Sequence, residues 1–167
     1  RQRRKMTGAH IAERVVEVSR SCKLPYPYEG PEMTFVVITG GEPLLHDLSP
    51  LCLALKDKLA QPFVCLETNG TIDAPDELFE DYLIQHVTVS PKAQHPPTET
   101  MTVQRADDIK VVLDGKIDPE LYAYCHLAHG HLFLQPCSQN YSPALQYVMC
   151  HPWWRLSLQT QKILAID

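Results

Sequence analysis

Five polar stretches in this sequence each follow a short apolar run, and each carries groups that could hold a ligand. They are Thr39-Gly40-Gly41-Glu42-Pro43, Glu67-Thr68-Asn69-Gly70-Thr71, Ser90-Pro91-Lys92, Asp114-Gly115 and Gln135-Pro136-Cys137-Ser138. The first is the most informative. Two consecutive glycines remove every Cβ, so main-chain N–H and C=O groups can approach a ligand closely. Glu42 adds a carboxylate and Pro43 stiffens the exit, so the stretch suits an ammonium group. A tight strand-to-helix turn with a helix-capping acid would use the same residues. Neither G-x-G-x-x-G nor G-x-x-x-x-G-K-[ST] occurs, which separates the stretch from phosphate-binding loops. Each of the other ends carries small, polar or charged residues where a bland connector would need only a turn. Lys92 could equally be a solvated lysine, and Glu67 a structural acid tying loops together.

Two further constellations carry less. Cys125-His126, His129 and His131 form the densest run of metal-ligating types; Cys125 and His129 share a helix face and His131 falls on the following strand, but a zinc site needs three or four converging ligands and these three have no fourth partner in sequence. Cys150-His151 places a thiol beside an imidazole, yet sequence neighbours point in different directions.

The elements that must position these groups follow one rhythm. Ile11, Val15 and Val18 repeat at helical spacing, predicting a helix over roughly 10–20. Phe35-Val36-Val37-Ile38 fits a strand covered on both faces, and Phe63-Val64-Cys65-Leu66 a second buried strand. Leu48 to Leu59 predicts the intervening helix. Residues 75–82 read as helix, 86–89 as strand, 109–113 as strand, 119–128 as helix, 131–134 as strand and 142–149 as helix. Trp154-Arg155-Leu156-Ser157-Leu158 alternates as a last strand. Strands alternating with helices mean parallel βαβ units, in an open sheet or a partial barrel, and one domain. In such folds the functional groups lie just beyond the carboxyl ends of the strands, where the five stretches fall.

Composition sets the outer bounds. The 167 residues are 44% hydrophobic and 21% charged, ordinary values for a globular chain able to bury a core. No apolar run approaches the roughly 18 residues of a membrane span, and Arg1-Gln2-Arg3-Arg4-Lys5 is no signal-peptide start. A cytoplasmic protein is expected, with no membrane partner. The net charge of −5 and scattered basic residues argue against direct nucleic-acid binding. Six cysteines, at 22, 52, 65, 125, 137 and 150, form no C-x-x-C pair. Cys52 and Cys65 read as small buried hydrophobes.

Ile38-Thr39-Gly40-Gly41-Glu42-Pro43-Leu44-Leu45, placed after an apolar strand, resembles the glycine-glycine-glutamate-proline motif of radical S-adenosylmethionine enzymes. Leu66 to Thr71 and Val89-Ser90-Pro91-Lys92 narrow the resemblance to the 7-carboxy-7-deazaguanine synthases. Leu134-Gln135-Pro136 and Trp154 to Thr160 narrow it further. It covers about residues 6–167, with the motifs in the family's order.

The resemblance implies a partial parallel (β/α) barrel of the radical S-adenosylmethionine type. It places Gly40, Gly41 and Glu42, Ser90, Pro91 and Lys92, and Gln135, Pro136, Cys137 and Ser138 at the cofactor. Thr39 and the terminal Asp167 fall at the substrate, Asp167 by its α-carboxylate or side chain. The implied reaction is reductive cleavage of S-adenosylmethionine on a [4Fe–4S] cluster. A deoxyadenosyl radical then takes hydrogen from 6-carboxy-5,6,7,8-tetrahydropterin, giving 7-carboxy-7-deazaguanine with loss of ammonia, assisted by Mg2+. A flavodoxin or ferredoxin as electron donor and a homodimer are also implied, with the product leading toward queuosine or related 7-deazapurines.

Two departures stand out. The family's three-cysteine cluster loop has no counterpart here, so a segment before Arg1 is expected to carry it, and the chain alone is expected to be inactive. Gln161 stands where the family has histidine. A different radical enzyme, such as a glycyl-radical activase, would share Gly-Gly-Glu-Pro without the C-terminal features. A non-catalytic interaction protein would lack the cluster loop altogether.

Overall fold

The computed structural model describes residues 6–21, 33–92, 102–123, 130–138 and 140–165. Thirteen elements follow in order. They are α1 (Gly8–Ser21), β1 (Thr34–Ile38), a 3-10 turn (Pro43–Leu45), α2 (Ser49–Lys58), β2 (Pro62–Thr68), α3 (Glu77–Glu80), β3 (His86–Val89) and β4 (Asp108–Leu113). After these come α4 (Glu120–Ala123), β5 (His131–Pro136), α5 (Tyr141–Cys150), β6 (Trp154–Leu156) and α6 (Thr160–Ile163). The strands form one six-stranded, all-parallel sheet in the order β1-β2-β3-β4-β5-β6. The expected α/β class holds. A doubly wound sheet reverses its strand order at a switch point, whereas this order never reverses and is consistent with a partial barrel.

Contacts divide the chain into two compact units, residues 1–66 with 74–86, and residues 67–73 with 87–167. In the first, α1 lies against α2. The approach is close at Gly8, where a Cβ would stand 2.7 Å from the Leu51 amide nitrogen. Ala12, Leu48, Cys52, Leu55, Val64, Leu66 and Leu78 are buried in this unit. Burial pushes the Cys52 thiol up to about 11, and the Asp47 carboxylate adds to that rise. Gln85 fastens the chain before β3, its Oε1 accepting from Val64 N (2.6 Å) and its N–H donating to Val64 O (2.9 Å).

In the second unit β4 pairs with β5 from Asp108↔His131 to Leu113↔Pro136, and β5 pairs with β6 from Leu132↔Trp154 to Leu134↔Leu156. Asp107 knots the amino ends of these strands. Its Oδ2 accepts from Val87 N (2.7 Å), and its carbonyl accepts from Gly130 N (2.7 Å). Glu120 Oε1 accepts from the Tyr147 hydroxyl (2.6 Å) and the Trp154 indole (3.2 Å), tying α4 to α5 and β6. These bonds satisfy polar atoms beside a buried tryptophan, where an unpaired group would be costly.

Burial corrects one expectation. The strands are not covered on both faces. In the second unit Val87, Val89, Ile109, Val111, Leu132 and Leu134 are buried, whereas Glu67, Thr88, Lys110, Val112, Phe133 and Gln135, at the alternate positions, are only half-buried. In β1, Phe35 is 67% and Val37 53% exposed. The reason is topological: when every crossover advances in the same direction with the same hand, the helices collect on one face of the sheet. Cys65 is accordingly half-buried, while Cys52 is buried as expected. The last strand is shorter than the alternation implies, and α6 follows it where no helix is expected. Ile163 is 49% and Leu164 62% exposed, so neither is sunk into a core. The helix expected over 119–128 is seen as α4 to Ala123, and 124–128 lie outside the described residues.

Candidate functional site

The first unit carries the turn after β1. Thr39, Gly40 and Gly41 are exposed, Glu42 is half-buried and Pro43 is buried. Glu42 Oε1 accepts from Leu44 N at 3.1 Å, capping the 3-10 turn. The carboxylate is thus the helix-capping acid that a tight turn allows, and the cap fixes its orientation. Gly40 has a φ of +154°, which favours glycine. Gly41 has no such φ, and a Cβ there would meet nothing within 4 Å. Neither dihedral nor packing within the described chain calls for glycine at 41.

The second unit carries the other strand ends. The buried Thr68 sits at the end of β2, its Oγ1 accepting from Gly70 N (3.2 Å) and its carbonyl from Ser90 N (2.7 Å). Asn69 Oδ1 accepts from both the amide (2.8 Å) and the hydroxyl (2.7 Å) of Thr71. Side chains with short polar reach thus hold this loop locally. Ser90 is half-buried, Pro91 buried and Lys92 exposed. At the end of β5, Gln135 and Cys137 are half-buried, Pro136 is buried and Ser138 is exposed. Ser138 has a φ of +49°, one of three described non-glycine residues in the left-handed region. Its Oγ lies 3.6 Å from Cys137 Sγ, and Cys137 O accepts from Asn140 N at 3.0 Å. Strained backbone of this kind clusters where a site needs it. Asp114-Gly115 is plainer: Asp114 Oδ1 accepts from Lys116 N (2.9 Å), an ordinary polar turn.

Glu67 ties strand to strand, not loop to loop. Its Oε1 accepts from Lys110 Nζ at 2.7 Å. Lys110 was legible only as part of an apolar strand; the available signal was a lone cation inside Ile109-Lys110-Val111.

The remaining sequence candidates resolve simply. Cys125, His126 and His129 lie outside the described residues, as do Cys22 and Asp167. His131 Nδ1 pairs with Asp108 Oδ1 at 3.0 Å. His151 Nδ1 lies 2.8 Å from the Tyr147 carbonyl oxygen, and the ring stacks on Tyr147 at 4.0 Å, so it serves the α5 terminus and not Cys150. Among the described residues no three His, Cys, Asp or Glu side chains gather as a metal ion would need. They therefore do not fit an iron–sulfur cluster. No described helix is long and apolar enough to cross a membrane.

No family model matches the chain. Comparison with curated proteins is decisive instead. The chain is 40% identical over 144 residues to the 7-carboxy-7-deazaguanine synthase of Bordetella pertussis, covering 83% of this chain and 62% of that protein. It is 41% identical over 134 residues to the synthase of Bacteroides thetaiotaomicron, covering 78% and 64%. With the synthase of Nitratidesulfovibrio vulgaris it shares 34% identity over 170 aligned positions, covering 95% of this chain and 72% of that protein. The chain thus spans a little over three fifths of the first two relatives and nearly three quarters of the third. With these identities, and with its glycine turn and polar stretches at the ends of parallel strands, the chain belongs to the 7-carboxy-7-deazaguanine synthase family.

Proposed function

We propose that the protein to which this chain belongs converts 6-carboxy-5,6,7,8-tetrahydropterin to 7-carboxy-7-deazaguanine, with ring contraction and loss of ammonia. Support comes from the relatives' shared name and from one structural observation. Gly41, which the family places at S-adenosylmethionine, is a glycine that neither its own dihedral nor its neighbours require. When bound, S-adenosylmethionine supplies hydrogen-atom abstraction from the substrate.

The chain's own residues bind and orient. Carbonyl groups of the Gly40-Gly41 turn and the capped carboxylate of Glu42 hold an ammonium group. Ser90, Pro91 and Lys92 form one polar edge for the cofactor, and Gln135 to Ser138 form a second. Thr39 and Asp167 belong to the pterin. The iron–sulfur ligands are assigned to sequence outside these residues. The same proposal includes Mg2+, a flavodoxin- or ferredoxin-type electron donor, a homodimer and a cytoplasmic location.

The test is an anaerobic assay of the complete protein with pterin and S-adenosylmethionine, read by product mass. Formation of 7-carboxy-7-deazaguanine is expected. Cofactor cleavage with the pterin untouched would instead favour another radical enzyme, and binding of neither molecule a non-catalytic member. Gly41→Val isolates the turn. A branched side chain there should weaken S-adenosylmethionine binding at least about tenfold with the fold retained. Unchanged calorimetric affinity removes Gly41 from the site.

A further inference from the structure

The open face of the second unit carries an ion pair between two of its strands. Lys110 Nζ donates to Glu67 Oε1 at 2.7 Å, with side chains 18% and 35% exposed. Glu67 belongs to β2 and Lys110 to β4, which are not neighbours, because β3 lies between them. Strands stand about 4.8 Å apart, so the pair spans roughly 10 Å of sheet. The β3–β4 register, Thr88↔Asp108 and Val89↔Ile109, sets Ser90 opposite Lys110 when continued by one residue. Two long side chains therefore close over the small residues at the end of β3, beside Ser90-Pro91-Lys92.

A structural role accounts poorly for this arrangement. The apolar face of the same strands already buries Val89, Ile109 and Val111 completely or nearly so. A pair with side chains only 18% and 35% exposed adds little net stability, since desolvation of both charges offsets their attraction. Its cost in side-chain freedom is real, because lysine and glutamate are among the residues with most rotamers to lose. What the pair does achieve is directional. A carboxylate has two oxygens, and Lys110 engages Oε1 on one side of it.

From this we infer that Lys110 is a positioning residue, aiming the Glu67 carboxylate along the open face so that it accepts ring N–H groups of a heterocyclic substrate. The inference rests on the function proposed above and deepens it. Reduced pterins present several ring and exocyclic N–H donors, and a carboxylate held by a cation accepts them with charge-assisted strength. Lys110 touches Glu67 and not the substrate, so its effect must pass through Glu67.

The experiment uses the complete, cluster-loaded protein and measures calorimetric affinity for the pterin, the KM for pterin, and uncoupled S-adenosylmethionine cleavage. Lys110→Met should weaken pterin binding and raise its KM about tenfold or more, with cofactor cleavage unchanged. Lys110→Arg, which keeps the charge, should recover most of that loss. In a Glu67→Gln background, Lys110→Met should cost nothing further, because the group it aims is gone. If Lys110→Met does not fold, Glu67→Gln/Lys110→Met, which leaves no unpaired charge, replaces it and is compared with Glu67→Gln. Equal pterin affinity in wild type and Lys110→Met overturns the inference, as does a further loss in the double variant. Wild-type protein that binds no pterin overturns the proposed function itself, a result distinct from either.

Discussion

β1 in the first unit and β4 in the second are written in nearly the same alphabet, Thr-Phe-Val-Val-Ile and Asp-Ile-Lys-Val-Val-Leu, yet they are used differently. β4 lies between two strands and buries Ile109 and Val111 completely. β1 is first in the sheet order, and Phe35 and Val37 remain more than half exposed. An apolar hollow of about 600 Å³ opens between β1 and α1, lined by Ile11, Val15, Val18 and Phe35 among others. Apolar composition decides that a strand forms. Position in the sheet decides how much of it is covered, and so how much energy each side chain contributes.

Three substitutions test that contrast, beginning where the effect should be greatest. Ile109→Ala removes a fully buried side chain and should destabilise the protein by about 2–5 kcal/mol in chemical denaturation. A loss below about 1 kcal/mol would mean that β4 is not the packed strand described here. Gly8→Ala asks whether the first unit is held by its helices instead of by the outer face of β1. The new Cβ would meet Leu51 backbone at 2.7 Å, so overpacking should cost about 1–3 kcal/mol. A neutral or stabilising outcome would show that α1 can shift away from α2 freely. Phe35→Ser should cost least, under about 1 kcal/mol, because most of the ring already meets water. A cost matching that at Ile109 would reveal that further chain covers this face in the complete protein.

Much of the fold was legible because the helical and strand runs keep their periods. Residues 131–134 and 142–149 fall inside β5 and α5, and 34–38 extends the expected first strand by one residue. Short helical segments were harder. A single turn such as α6 at Thr160–Ile163 has too few residues to show a period, so only its neighbours could reveal it. The glycine-rich turn was legible as chemistry before it was legible as geometry, since Gly-Gly beside an acid has few uses. Of its two readings the structure shows the helix cap, with Glu42 accepting from Leu44 N, and it leaves open space beside Gly41.

By itself the sequence determined the alternation of strands and helices, the parallel class and the strand ends at which polar groups gather. These depend on local pattern and on the handedness of βαβ connections. Its resemblance to the synthases also rests on short motifs, each readable without the fold. Only tertiary structure decided that one sheet face is buried and the other half-open, because both faces of an apolar run look alike until the helices are placed. The Glu67–Lys110 pair is the sharpest case. The two residues are 43 positions apart and on non-adjacent strands, so only the register of the intervening strand could set one within reach of the other.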